Sequence, residues 1–254
     1  MPQQMTTPTL ELRNIAKHFG AIKAVDGVSF TVESGECVGL IGDNGAGKST
    51  LVKVVSGFHP QTSGQLLVQG KEVTFSSPTD ARNSKIETVY QNLALVEQLD
   101  VAANFFLGRE LHTNWGRIIR YLDKGAMKKR ARAELDRIGI SIPDMNAIVS
   151  ELSGGQRQSI AISRSIFWGS QCLVLDEPTA SLGVNETASV AELIERVVAS
   201  GVSVLIVAHD IDLIIQLCTK IVVLRQGIVW SELNASDVTA ADLVHHITGT
   251  QRAA

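Results

Sequence analysis

Gly42-Asp-Asn-Gly-Ala-Gly-Lys-Ser-Thr50 fits the pattern G-x-x-x-x-G-K-[ST] at every fixed position. Glycines so spaced let the backbone turn tightly enough for successive N–H groups to converge on one concavity, a cradle for phosphate oxygens. Gly42, Asp43, Asn44, Gly45, Ala46, Gly47, Lys48, Ser49 and Thr50 form that cradle. Lys48 supplies a point charge for the outer phosphates. Ser49 offers a hydroxyl to Mg²⁺, an ion that prefers oxygen ligands and keeps several of its waters. A bound nucleoside triphosphate is the expectation.

The flanks agree with the loop. Cys37-Val-Gly-Leu-Ile41 is a short apolar run that reads as a buried strand, and Ser49-Thr-Leu-Val-Lys-Val-Val55 reads as a helix stopped at Gly57. Strand, loop, helix is the order the motif needs. Further out, Leu10–Ile15, Val28–Val32 and Gln65–Val68 with Val73 alternate apolar and polar residues, as half-buried antiparallel strands do. From Val101 to about Ile138 the period turns helical, with Ala131, Leu135 and Ile138 on one face, which reads as an inserted helical subdomain. After it, strands at Cys172–Leu175 and Val202–Val207 alternate with helices at Val190–Val198 and Ile211–Leu217. Such alternation predicts a parallel sheet covered by helices, with ligands at the carboxyl ends of its strands. Ile221–Leu224 and Ile228–Trp230 flank Arg225-Gln-Gly227 as a hairpin, and a last helix starts at Thr239 and ends at Gly249.

Two further motifs carry chemistry. Leu175-Asp-Glu-Pro178 ends an apolar run, so both acids fall where that strand leaves the sheet. Adjacent side chains on extended backbone point apart, which allows Asp176 to face a metal hydration shell and Glu177 an attacking water. Leu152-Ser-Gly-Gly-Gln-Arg-Gln158 begins a helix running through Ile160, Ile162 and Ile166, with Ser153 as its N-cap. Its two glycines are expected to leave N–H groups bare, giving a second anion site at a positive helix end.

Composition adds bounds rather than chemistry. The chain has 254 residues, a formal net charge of −3, three cysteines and six histidines. That charge leaves no electrostatic footprint for nucleic acid, and the basic run Lys128-Lys-Arg130 with Arg132 reads as the solvated face of a helix. Residues 1–7 lack a basic start and an apolar core and read as a loose tail rather than a signal peptide. No apolar stretch reaches the roughly 20 residues that cross a bilayer. Cys37, Cys172 and Cys218, far apart in sequence, read as small core residues, and the histidines other than His209 as structural.

In this order, phosphate loop, Gln91, Leu152–Gln158, Asp176-Glu177 and His209, the chain resembles the nucleotide-binding subunit of an ATP-binding cassette (ABC) transporter over about Leu10 to Leu233. The resemblance implies an α/β phosphate-loop NTPase with a parallel sheet core, a small antiparallel β layer and the helical insert. It implies one ATPase domain over residues 8–250, with residues 8–91 and 160–250 as ATP-binding core and 92–159 as the helical signature subdomain. On it, Phe19 stacks on adenine, Gln91 senses Mg²⁺ and the membrane partner, Glu177 is the general base, and His209 holds the γ-phosphate and water. Asp176 and Ser49 join Gln91 around Mg²⁺. Ser153, Gly154, Gly155 and Gln156 cap the ATP seated on Lys48 of a second copy, in a head-to-tail homodimer. The family usually has Ser-Ala-Leu-Asp after Pro178-Thr179; here Ala180-Ser-Leu-Gly183 stands instead, and Gly183 lacks the acid that hydrogen-bonds across the dimer.

Thr88–Asp100, Val101-Ala-Ala-Asn104 and Phe106-Leu-Gly-Arg-Glu110 are similar to the corresponding segment of simple-sugar importers of the ribose, fructose and xylose type. That likeness implies integral membrane permease subunits as partners, a periplasmic or extracellular sugar-binding protein acting through them, and a place on the cytoplasmic face of the cell membrane. Many of that group fuse two such units; a single unit ending near Ala254, without a regulatory domain, fits a homodimer. The alternatives are an amino-acid importer ATPase and a soluble ABC ATPase without a transport role.

Overall fold

The computed structural model of the chain describes residues 7–115 and 119–250, so most of the expected N-terminal tail lies outside the described residues. β1 (Leu10–Phe19) and β2 (Ile22–Val32) pair antiparallel, and β4 (Ser63–Val68) and β5 (Lys71–Val73) complete a sheet in the order β2-β1-β4-β5. The period-2 pattern decides its two sides. Leu10, Leu12, Val28, Phe30 and Val32 are buried, while Arg13 donates to Glu11 on the outer side at 2.6 Å.

The second sheet has six strands: β3 (Cys37–Gly42), β6 (Ile86–Val89), β9 (Cys172–Asp176), β10 (Ser203–Val207), β11 (Lys220–Arg225) and β12 (Ile228–Asn234), in the order β12-β11-β3-β10-β9-β6. All neighbours are parallel except β11 and β12, whose turn at Gln226-Gly227 has φ of 49° and 82°, both left-handed as a tight hairpin requires. The parallel strands are near-continuous apolar runs because both faces are covered. Val38, Leu40, Val174, Leu205 and Val207 face the antiparallel sheet and α1 (Lys48–Val55). Their alternates Ile41, Leu173, Leu175, Val204 and Ile206 face the other layer. That layer includes α5 (Gly154–Phe167), α6 (Val184–Ala199) and α7 (Ile211–Leu217), with α8 (Ala240–Thr248) beyond them. Burying one such Leu or Ile side chain contributes about 1.5–3 kcal/mol, so the sheet is the main source of stability.

β6 was not legible as a strand. Its Ile-Glu-Thr-Val is short and mixed, and it lies at the sheet's edge, where one row of backbone partners suffices. α2 (Pro78–Asn83) precedes it, started by a Ser77–Asp80 capping box.

The segment read as continuously helical from Val101 to Ile138 is broken. It holds α3 (Val101–Phe106), a hairpin of β7 (His112–Trp115) and β8 (Ile119–Leu122), and α4 (Lys124–Arg137). Gly108, with φ of 76°, ends the first helical stretch, and Asp123 caps α4 by accepting from Ala126 N at 2.8 Å. Met127, Ala131 and Leu135 of α4 are buried at four-residue spacing; of the basic run expected to be solvated, Lys129 and Arg130 are exposed, whereas Lys128 and Arg132 are half-buried and Arg132 donates to Ile142 O and, at 3.2 Å, to Pro143 O.

Asn104 of α3 is fully buried and tied to the chain that follows Gln91. Its Oδ1 accepts from Val96 N at 2.8 Å, and its Nδ2 donates to the carbonyls of Val96 at 3.0 Å and Asp100 at 3.1 Å. Asn104→Ala leaves Val96 N without its acceptor, while the carbonyls of Val96 and Asp100 keep the backbone donors Leu99 N and Asn104 N, and it is expected to lower stability by about 1–3 kcal/mol. Thermal unfolding reads the loss, and faster amide exchange confined to Val96–Leu99 locates it.

Cys37 and Cys218, 181 positions apart, are brought to a Sγ–Sγ distance of 3.7 Å as buried free thiols. Burial pushes the Cys172 thiol up to about 12. His246 is buried against Ser231 at 3.0 Å, a structural histidine as expected.

Candidate active site

Four parallel strands deliver their carboxyl ends to one edge of the sheet. Leu40 and Asp176 both pair with Val207, and Val89 pairs with Leu175, so the ends of β3, β10, β9 and β6 lie level. Beyond them come the phosphate loop, His209, Glu177 and Gln91 respectively.

The loop is braced on both sides. Gly227 N donates to Ala46 O at 3.0 Å, and Gly227 O in turn accepts from Asp26 N at 2.7 Å. Gly42 and Gly47 are left-handed at φ of 152° and 106°, and Gly47 is the N-cap of α1, whose first turn has no side-chain cap. Uncapped N–H groups and the helix dipole together make an anion site. Lys48 is buried, and its ammonium donates to Gly42 O at 2.7 Å and Asp43 O at 3.0 Å. Burial lowers its pKa, against the opposing pull of Glu177, Asp43 and Asp176.

Glu177 follows β9 in a left-handed conformation, φ 52°, with its N–H donated to Val207 O at 2.8 Å. A non-glycine residue held there stores strain of about 1–3 kcal/mol, which the anchoring to β10 sustains. The turn swings its carboxylate to 3.0 Å from His209 Nε2. Both line a cleft of about 430 Å³ with Asn44 to Thr50. Asp176 is the last residue of β9; burial first, then the Glu177 charge, raises its pKa, and the Lys53 and Lys48 charges oppose that. The oxygens of Ser49, Asp176 and Gln91 are a hard donor set that fits Mg²⁺. Among the described residues no three His, Cys, Asp or Glu are grouped to hold a metal ion.

The remaining predicted residues are distributed differently. Gln91 lines an adjoining cavity of about 220 Å³, with Gly154, Gln158 and Glu177 on its walls, so Glu177 borders both spaces. Phe19 is not among the residues lining the phosphate-loop cleft; Ile22 and Lys23 of the same hairpin are. Its ring stands 43% exposed beside His59, with centroids 5.4 Å apart. Ser153, Gly155 and Gln156 line a third cleft, outside the phosphate-loop site.

The start of α5 follows the sequence in one respect and departs in another. Ser153 and Gln156 form a capping box, with Gln156 N donating to Ser153 Oγ at 3.3 Å and Ser153 N to Gln156 Oε1 at 3.0 Å. The glycine N–H groups were expected to be bare. Gly155 N instead donates to Glu186 Oε1 at 3.3 Å, because α6 packs across this turn. Glu186 was not singled out in the sequence; its place as N3 of α6, three residues after Gly183, was the available signal.

Fold and site together define a phosphate-loop ATPase. The sequence profile described as ABC transporter matches residues 25–180. The chain belongs to the ABC transporter family, as its ATP-binding, ATP-hydrolysing component. It is 44% identical to the xylose/arabinose import ATP-binding protein of Sulfolobus acidocaldarius, over 86% of this chain and 85% of that one. Identity to the fructose import ATP-binding protein of Rhizobium meliloti is 40%, over 96% and 95% of the two chains. With the ribose import ATP-binding protein of Rhodococcus jostii it is 38% over 95% of this chain but 47% of that protein. Among solved structures, the ADP conformation of an ATP-binding cassette of an ABC transporter superposes with a TM-score of 0.83 at 25% identity, covering 97% of this chain and all of that one. The dimeric structure of a post-hydrolysis cassette bound to ADP and phosphate has a TM-score of 0.72 at 25% identity, over 89% and 98%.

Proposed function

We propose that this chain hydrolyses ATP to drive import of a simple sugar. The observation that carries the chemistry is the Glu177–His209 contact of 3.0 Å within the cleft of the phosphate loop. Lys48 and the loop N–H groups bind the β- and γ-phosphates. Glu177 takes a proton from water as the water oxygen bonds to the γ-phosphorus, the bond to the leaving β-phosphate oxygen breaks, and ADP and phosphate result. His209 orients that water and the γ-phosphate. Ser49, Asp176 and Gln91 would hold Mg²⁺, directly or through its waters, and the ion would supply neutralisation of phosphate charge. Phe19, at the tip of the hairpin whose Ile22 and Lys23 line the cleft, is the adenine-stacking group.

Residues 8–250 act as one ATPase domain, in which 92–159 is the signature subdomain. Ser153, Gly155 and Gln156 line a cleft apart from the phosphate loop, and on this reading the turn Ser153–Gln156 serves the triphosphate of a second copy in a head-to-tail homodimer. The relatives' names support sugar import as the role and count against an amino-acid cargo or a soluble non-transport role; membrane permease subunits and a sugar-binding protein are the partners such a role calls for. No helix among the described residues is long and apolar enough to cross a membrane, which is consistent with attachment to the cytoplasmic face through the permease.

Reconstitution tests the reading. With its permease in vesicles, ATPase activity is expected to rise several-fold on adding a binding protein loaded with a pentose or hexose, and not with an amino-acid-loaded one. Stimulation by the amino-acid system alone, or co-purification with soluble partners only, would overturn it.

A further inference from the structure

The signature turn is occupied from within the chain. Gly155 N donates to Glu186 Oε1 and Gly183 N donates to Glu186 Oε2, each at 3.3 Å, so one carboxylate spans the first turns of α5 and α6. The packing beneath is close around the two glycines. A Cβ on Gly155 would lie 3.1 Å from Glu186 Cβ, and one on Gly154 2.8 Å from Leu182 Cδ2. The Gly155 N–H, then the Ser153 hydroxyl, then the Gly183 N–H hold the Glu186 carboxyl below the usual carboxylate range, so it is ionised at neutral pH.

On the two-copy reading proposed above, on which this inference rests, the partner's triphosphate arrives at this same turn. A backbone N–H has one proton to donate, and two anions drawn to one donor repel each other. We infer that Glu186 is a built-in competitor for the partner's γ-phosphate: it holds Gly155 while the two copies are apart and leaves as they close, setting the ATP concentration at which closure occurs. Glu186 also takes up the linkage left by the missing acid at position 183. Its departure frees Gly183, which ends the segment running back through Leu182 and Pro178 to Glu177. Capping of the partner's ATP and the position of this chain's own base are thereby joined through one side chain.

The test uses the full chain carrying Glu177→Gln, so that ATP accumulates, with dimer fraction followed by sedimentation velocity against ATP concentration. Adding Glu186→Gln, which removes the charge at nearly constant shape, is expected to lower the half-point roughly five- to tenfold. Glu186→Asp keeps an acid in the first turn of α6 but draws it back from Gly155, and it is expected to shift the half-point the same way by less. Glu192→Gln, removing another acid that lines the cleft and pairs with Arg196 at 3.7 Å, is expected to leave the half-point in place. An unchanged or raised half-point in both Glu186 variants overturns the inference, as does an equal drop with Glu192→Gln. A Glu177→Gln parent that stays monomeric at millimolar ATP overturns the two-copy reading itself, and this inference with it.

Discussion

Glu177→Gln is expected to lower the rate of ATP hydrolysis by about 10²–10⁴-fold while leaving ATP bound, the usual scale for loss of a positioned general base. The substitution is close to isosteric, and the anchor that shapes the site is a backbone bond, Glu177 N to Val207 O at 2.8 Å, which glutamine retains. Glutamine also keeps a hydrogen-bonding group near His209. What it loses is the capacity to accept a proton from water. Phosphate release measured under saturating ATP reads the rate, and equilibrium binding of a fluorescent ATP analogue reads retention of the ligand. Hydrolysis at the unsubstituted rate would remove Glu177 from its assigned role.

Gly47→Ala is expected to abolish ATP binding and to destabilise the fold. Alanine at φ 106° costs about 1–3 kcal/mol from backbone conformation alone, and its Cβ would lie 2.4 Å from Ala24 O, a backbone atom of β2 with little room to retreat. Relief requires the loop to move off β2, which pulls α1's first turn away from the phosphate position. Gly45→Ala supplies the internal comparison. Gly45 is also left-handed, φ 78°, but nothing lies within 4 Å of its would-be Cβ, so it carries the conformational cost without the collision. Thermal unfolding and nucleotide titration of the two variants are expected to separate them, with Gly45→Ala retaining binding. Equal behaviour would show that the approach to Ala24 is not what the glycine at 47 serves.

The readings that held were those in which neighbours along the chain settle the outcome. Apolar periodicity located β3, β9 and β10, and side-chain caps located the starts of α5 and α8. Periodicity failed between Val101 and Ile138, because Ala131 and Leu135 repeat correctly within α4, with Ile138 at its C-cap, yet say nothing of the pairing of β7 with β8. Asn104 illustrates a second kind of omission. An asparagine in an apolar helix has no distinctive local pattern, and its value comes from carbonyls that the fold leaves within reach.

Residue order alone is enough to set a phosphate loop between a buried strand and a helix, two acids at a strand's end, and a capped glycine turn at the start of another helix. Each follows from dihedral preference, capping and spacing within about ten residues. Long-range packing sets β10 between β3 and β9, which brings His209 to 3.0 Å from Glu177, and lays Glu186 of α6 over Gly155. Parallel pairing joins strands separated by long crossovers, and the packing of helices upon them places side chains from distant positions together. No local rule contains that information. For the same reason a glycine turn that reads as an open anion site is, in the folded chain, already engaged by its own carboxylate.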